Sequence, residues 1–191
     1  MRGAFASGAT DPLTGARDGA RSGTVLTLQA TAAIAEVALF VRDPDHAGRL
    51  AGHVTFAPIG ADRAACDGTF GLFAPTPDPG LKLMVYRAGF EVAGAPYCLD
   101  GAKHVRRGSV LRAWSDTTTL YCRLHEGADT TGRVIAAGVL RLGPLAFAGQ
   151  LVSFRTPNAA GPGGSLRALA GFLWFFSGEV IDTYVFRRRP R

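Results

Sequence analysis

Residues 114–124 read Trp-Ser-Asp-Thr-Thr-Thr-Leu-Tyr-Cys-Arg-Leu, an acid and three threonines set into what otherwise suits a buried strand. Threonine is β-branched and fits a pleated surface, so the run can be extended. Alternation then puts Trp114, Asp116, Thr118, Leu120, Cys122 and Leu124 on one face, and Tyr121, Arg123 and His125 on the other. With the first face inward, a carboxylate and a hydroxyl point toward the core at one end of the strand. A buried acid must be paired, hydrogen-bonded or protonated, and Arg87, Lys103 and Arg141 are candidate partners for Asp116. The result is either a satisfied structural network or the polar end of a pocket. The residues leave both open.

The familiar catalytic constellations are missing. His46, His53, His104 and His125 are scattered and mostly near predicted turns, so no metal site is expected. No serine or cysteine has a recognisable base partner. No Gly-x-Gly-x-x-Gly follows a strand, which excludes a Rossmann-type FAD site, and there is no Gly-x-Ser-x-Gly elbow. What remains is a set of polar residues at strand positions among apolar ones. Singly, each is more often a structural hydrogen bond or salt bridge than a functional group. Together they suit a barrel that holds one small ligand in a largely apolar pocket with a few convergent polar groups. On this reading Asp116, Tyr86 and Glu179 are the candidate catalytic groups. Trp114, Thr118, Tyr121, Arg87, Lys103, Phe172, Phe176 and Tyr184 are the candidate substrate-binding residues. No cofactor is expected.

The elements that must position these side chains are short and extended. From residue 24 onward, candidate strands cover 24–30, 36–41, 52–57, 68–73, 81–92, 97–105, 117–124 and 133–142. Between them stand turn compositions such as DPDHAG, PTPDPG, AGAP and EGADTTG. Residues 43–50 could form one helical turn capped by Asp43, with Pro44 at its first position. Strands at this spacing predict an all-β, lipocalin-like barrel of about eight antiparallel strands. Helical spacing of Leu166, Leu169, Leu173, Phe176, Val180 and Tyr184 adds a long C-terminal helix over 165–184, packed on the barrel. Residues 1–23, rich in Gly, Ala, Ser, Arg and Asp, read as a flexible arm. One domain then spans 24–186, and 187–191 form a basic tail.

Composition narrows the class. A chain of 191 residues with 47% apolar content can bury one sizeable core. Its charge of +6 comes almost wholly from arginine, Lys82 and Lys103 being the only lysines. Part of that excess lies in the tail, and aromatics are not interleaved with basic residues, so nucleic acid is not an expected partner. Three cysteines with no Cys-x-x-Cys pattern, and no secretory apolar segment, point to reduced thiols and a cytoplasmic protein. The longest apolar run, 168–176, is too short to span a bilayer.

Four segments carry a resemblance: MVYRAGFEVAGAPYCLDGAKHV (84–105), WSDTTTLYCRL (114–124), AAGVLRLGPLAFAGQLVSFR (136–155) and GFLWFFSGEVIDTY (171–184). In this order they resemble an accessory domain fused to actinobacterial glucose–methanol–choline (cholesterol-oxidase-type) flavoproteins. The resemblance covers roughly residues 25–185, with DTTTLY and FFSGE its most specific parts. It implies the accessory domain standing alone, and it carries no catalytic residues across. Two functions follow as expectations. The first is a cofactor-independent cyclase or isomerase (pericyclase-type) that folds a polyketide-like substrate in bacterial secondary metabolism. The second is a non-catalytic lipid- or sterol-binding accessory or partner of a separately encoded flavoprotein oxidase. A second copy of the chain, as a homodimer, is a further potential partner.

Overall fold

The computed structural model describes residues 1–78, 80–106 and 117–143. Within them the chain closes an antiparallel barrel in which every strand pairs with its sequence neighbours. The strands are β1 (Arg2–Ser7), β2 (Val25–Ala33), β3 (Ala47–Phe56), β4 (Ala61–Pro75), β5 (Leu81–Val92), β6 (Ala95–Arg106), β7 (Thr119–Glu126) and β8 (Val134–Arg141). The eight-stranded antiparallel barrel matches the expected class. The expected helix over 165–184 lies outside the described residues.

The N-terminal segment departs from the flexible arm read for residues 1–23. β1 is the strand that closes the barrel, pairing with β2 on one side (Gly3 opposite Leu26) and β8 on the other (Phe5 opposite Gly138). Helix α1 (Pro12–Ser22) follows it with full start and stop signals. The Asp11 carboxylate accepts the Thr14 N–H at 2.8 Å, Pro12 opens the helix, and Gly23 ends it in the left-handed region at φ 71°. What α1 lacks is a large apolar stripe. It buries Pro12, Gly15 and Gly19, and a Cβ on Gly19 would stand 2.3 Å from the Phe5 nitrogen. Glycines let the helix backbone lie directly on β1 and β8.

Residues 36–41, read as a strand, instead form most of helix α2 (Val37–Arg42). A short apolar run bounded by turns fits either period, and the tertiary contact decides it. Phe40 is buried, whereas Leu39 and Val41 are exposed. The helical turn expected over 43–50 is absent too. The Asp43 carboxylate instead accepts the backbone N–H groups of Asp45 (3.1 Å) and Ala47 (2.9 Å), fixing the turn into β3.

The register places the two ends of the barrel. β5 and β6 meet at the Ala93–Gly94 turn, both residues at positive φ (50° and 80°) as a tight hairpin needs. That end also holds α1. The opposite end holds α2, the start of β3, the end of β6 and the start of β7. Inward-facing Phe5, Leu26, Phe56, Phe70, Met84, Phe90, Leu120, Leu124 and Leu140 fill the space between.

Candidate functional site

Strand alternation decides which expected site residues meet. On β5, Lys82, Met84, Tyr86, Ala88 and Phe90 face inward, and Arg87 faces out. On β6, Leu99, Gly101, Lys103 and Val105 face inward. Tyr86 and Lys103 therefore come together inside the α2-bearing end. The Lys103 ammonium stands 4.8 Å from the centre of the Tyr86 ring, and the residue is only 6% exposed. Thr118 is buried at the same end, where its carbonyl accepts the Leu142 N–H at 2.9 Å.

Two other residues are carried away from the interior. Arg87 is exposed and donates its Nε–H to Asp100 at 3.3 Å. Tyr121 lies on the outer face of β7, stacked on His104 with ring centroids 5.3 Å apart. Neither can line an internal pocket, because each alternates with an inward neighbour, Tyr86 in one case and Leu120 in the other. Trp114, Asp116, Phe172, Phe176, Glu179 and Tyr184 lie outside the described residues.

Of the residues expected to border an internal cavity, Tyr86 and Thr118 are described, and Trp114 and Asp116 lie outside the described residues. Between Tyr86, Leu99, Gly101, Leu120, Cys122 and the β2–β3 side chains the cavity volume is ≈ 0 Å³. Eight strands enclose just enough room for their own side chains, and here the described side chains fill it. Below Tyr86 the interior is core.

Above it, an aromatic stack leads to α2. Phe70 stacks on Tyr86 at 6.4 Å, and Phe40 of α2 lies against Phe70 at 6.2 Å. His46 holds the Phe40 carbonyl through Nδ1 at 2.9 Å. Phe40 thus plugs the barrel end above Tyr86 and Lys103. Beside α2 runs an open groove of ≈ 350 Å³, lined by Ile34, Leu39, Phe40 and Ala47 with the acids Glu36 and Asp43. That volume is within the range of small-molecule sites.

This end carries both signs of charge, Lys103 and the Met1 amino group inside and Glu36 and Asp43 in the groove. Burial, and then the Lys103 charge, hold the Met1 amino group below its ordinary pKa; it donates to the Leu28 carbonyl at 2.6 Å. Burial pushes the Cys122 thiol up, so this inward cysteine is an inert filler. Among the described residues no carboxylate pairs with Lys103. A cation over an aromatic face recovers about 0.5–2 kcal/mol, whereas the effective penalty of burying an ion is several kcal/mol. The site pairs this cation with an aromatic face, and its groove carries the acids Glu36 and Asp43. Chemically it can seat an anion or polarise a carbonyl oxygen.

The sequence reading missed Phe40, Phe70 and Lys82 as parts of this end. Phe40 was hidden by the strand assignment of α2. Lys82 had a signal: both lysines of an arginine-dominated chain fall on the inward face of adjacent strands, Lys82 opposite Val105 and Lys103 opposite Met84. Among the described residues no cluster of His, Cys, Asp and Glu could hold a metal ion, and no helix is long and apolar enough to cross a membrane. No family model, curated protein or solved structure matches this chain.

Proposed function

We propose that this chain is a lipocalin-like barrel that takes a small, largely apolar molecule at its α2-covered end. The observation that carries the reading is the buried Lys103 side chain with its ammonium over the Tyr86 ring, a placed polar group in an otherwise apolar interior. Apolar walls with one or two such groups are the usual composition of a small-molecule site. Because the space below Tyr86 is filled, the ligand takes the position of Phe40 or the groove beside it.

The same arrangement supports cofactor-independent cyclisation or isomerisation of a polyketide-like substrate. Apolar walls would hold a flexible chain in a reactive conformation, and orientation alone can supply on the order of 7–11 kcal/mol at best. The Lys103 ammonium and the Tyr86 hydroxyl would polarise one carbonyl. The second reading is a non-catalytic carrier, or an accessory partner of a flavoprotein oxidase. The resemblance of residues 84–105 and 114–124 to flavoprotein-fused domains supports that second reading.

The test is titration with Nile red, an uncharged apolar dye, followed by native mass spectrometry after exposure to a bacterial lipid and metabolite extract. Saturable one-to-one binding and a discrete mass adduct are expected. A dye signal that rises without saturation, with no adduct, would sink the reading.

A further inference from the structure

We propose that the groove beside α2 is a docking site for a segment of this same chain, residues 165–191. The apolar residues of that segment lie along Ile34, Leu39 and Ala47, and its basic run meets Glu36 and Asp43. The proposal goes beyond the small-molecule reading and does not depend on it.

The surface is the first observation. Among the described residues the large apolar side chains left exposed are Leu13, Leu39 and Val41, and two of the three lie on α2. Scattered singly they would need no explanation. Here Leu39 borders an open groove of ≈ 350 Å³ whose other walls include Ile34 and Ala47 and whose acids are Glu36 and Asp43. A groove of this kind receives the anchoring side chains of an amphipathic helix. Phe40 and His46 each have a further interaction beyond those given above, so the open surface is Leu39, Val41 and the groove rather than the plug itself.

The occupant follows from where the chain leaves the barrel and from charge. β8 ends at Arg141 on the α2-bearing end, where the Leu142 N–H donates to the Thr118 carbonyl at 2.9 Å. Beyond Gly143, outside the described residues, the sequence carries two features. Leu166, Leu169, Leu173, Phe176, Val180 and Tyr184 recur at helical spacing, and residues 187–191 read Arg-Arg-Arg-Pro-Arg. Residues 144–164 can span up to about 70 Å when extended, so reach does not limit the seating. A tethered segment meets its site at a high effective concentration, which makes a shallow groove sufficient. The arginines complement Glu36 and Asp43, and that complementarity sets the orientation. A second copy docking symmetrically by this face would bring Glu36 and Asp43 against their own counterparts. An anionic lipid surface would meet the same two acids.

The experiment is photo-crosslinking in the full chain with p-benzoylphenylalanine in place of Leu39. The expected product is an adduct within one chain, joining position 39 to a peptide from 165–191, as mapped by tryptic mass spectrometry. The same group in place of Leu13, exposed on α1 at the opposite end, should give no such adduct. Glu36→Lys should lower the yield at least about threefold. Glu36 is exposed and its side chain makes no cap hydrogen bond, so the fold tolerates the change. Adding Arg187→Glu, Arg188→Glu and Arg189→Glu to it should restore the yield. Raising NaCl from about 0.05 to 0.5 M should also lower the yield, an arm that needs no charge variant to fold. An adduct between two chains, an adduct outside 165–191, or none at all overturns the proposal. So does a yield indifferent to salt, or a Glu36→Lys loss that the folded combined variant does not rescue. Nile red plays no part here, so the small-molecule reading can fail while this proposal stands.

Discussion

Phe40 of α2 lies against Phe70 of β4 with ring centroids 6.2 Å apart, and it is the buried residue of its helix. A six-residue helix has little stability of its own, so this contact and the Asp43 turn hold α2 over the barrel end. Phe40→Ala should therefore loosen the cover more than it unfolds the barrel. A core Phe→Ala change costs about 3–5 kcal/mol, but here the helix can detach, and a loss of about 1–3 kcal/mol is expected. Nile red should bind faster by stopped flow. A full core-sized loss with unchanged dye kinetics would make α2 a structural element only.

Lys103→Met separates stability from ligand handling. Methionine is close in volume and removes an ammonium that has no carboxylate partner among the described residues. Replacing a buried charge by an apolar isostere is often neutral or stabilising, by about 1–4 kcal/mol. The melting temperature should hold or rise while Nile red affinity falls. A loss of about 3–5 kcal/mol would instead be the signature of a broken buried ion pair.

The acid limb of stability has named sources. Backbone N–H groups hold the Asp43 carboxyl below its ordinary pKa, that of Ala47 first and then that of Asp45. The hydroxyl of Thr131, and then its N–H, act likewise on Asp129, and the Thr14 N–H on Asp11. A carboxyl depressed in the folded state contributes stability above its unfolded pKa, near 3.8, and loses it as pH falls through the folded value. The melting temperature should be flat near neutrality and fall below about pH 4. Asp43→Ala should lower the neutral plateau slightly and flatten the fall. A parallel curve for the variant would show that Asp43 makes no such contribution.

All three cysteines are free and buried, and burial raises each thiol above its ordinary pKa. Iodoacetamide at pH 8 should leave the native chain unlabelled over hours and alkylate all three sites once it is unfolded, as counted by intact mass. Cys122, wholly inside the barrel, should react last on partial opening. Early labelling of Cys122 would mean that the barrel opens at the β7 wall.

Legibility in the sequence followed the kind of burial. The inward set Leu120–Cys122–Leu124 was readable because Tyr121 and Arg123 alternate with it. The pairing of Tyr86 with Lys103 follows from that alternation once the register is known, and register is what a single strand does not reveal. α2 misled because Val37, Leu39 and Val41 alternate like a strand while the contact that matters runs through Phe40. The filled interior was unreadable for another reason. Alternation says which side chains point inward, not whether their volumes leave a gap.

The N-terminal segment gives the sharpest test of that argument, because its packing is made of absent side chains. α1 rests on the barrel through Gly15 and Gly19, and a Cβ on Gly19 would lie 2.3 Å from the Phe5 nitrogen and 2.7 Å from its carbonyl carbon. Both are backbone atoms of β1, which cannot swing aside without leaving β2 and β8. Phe5 in turn packs edge-on against Phe56 at 5.3 Å, so a shift of β1 reaches the core. Gly19→Val should therefore cost about 1–3 kcal/mol through overpacking, and should speed amide exchange in β1 and β8 before the other strands. Leu13→Ala is the control: Leu13 is 57% exposed on the same helix, and its loss should stay within about 0.5 kcal/mol. If Gly19→Val melts with the unmodified chain, α1 does not need close backbone contact to dock. The small-residue explanation for why this segment looked unstructured in sequence would then have to be given up.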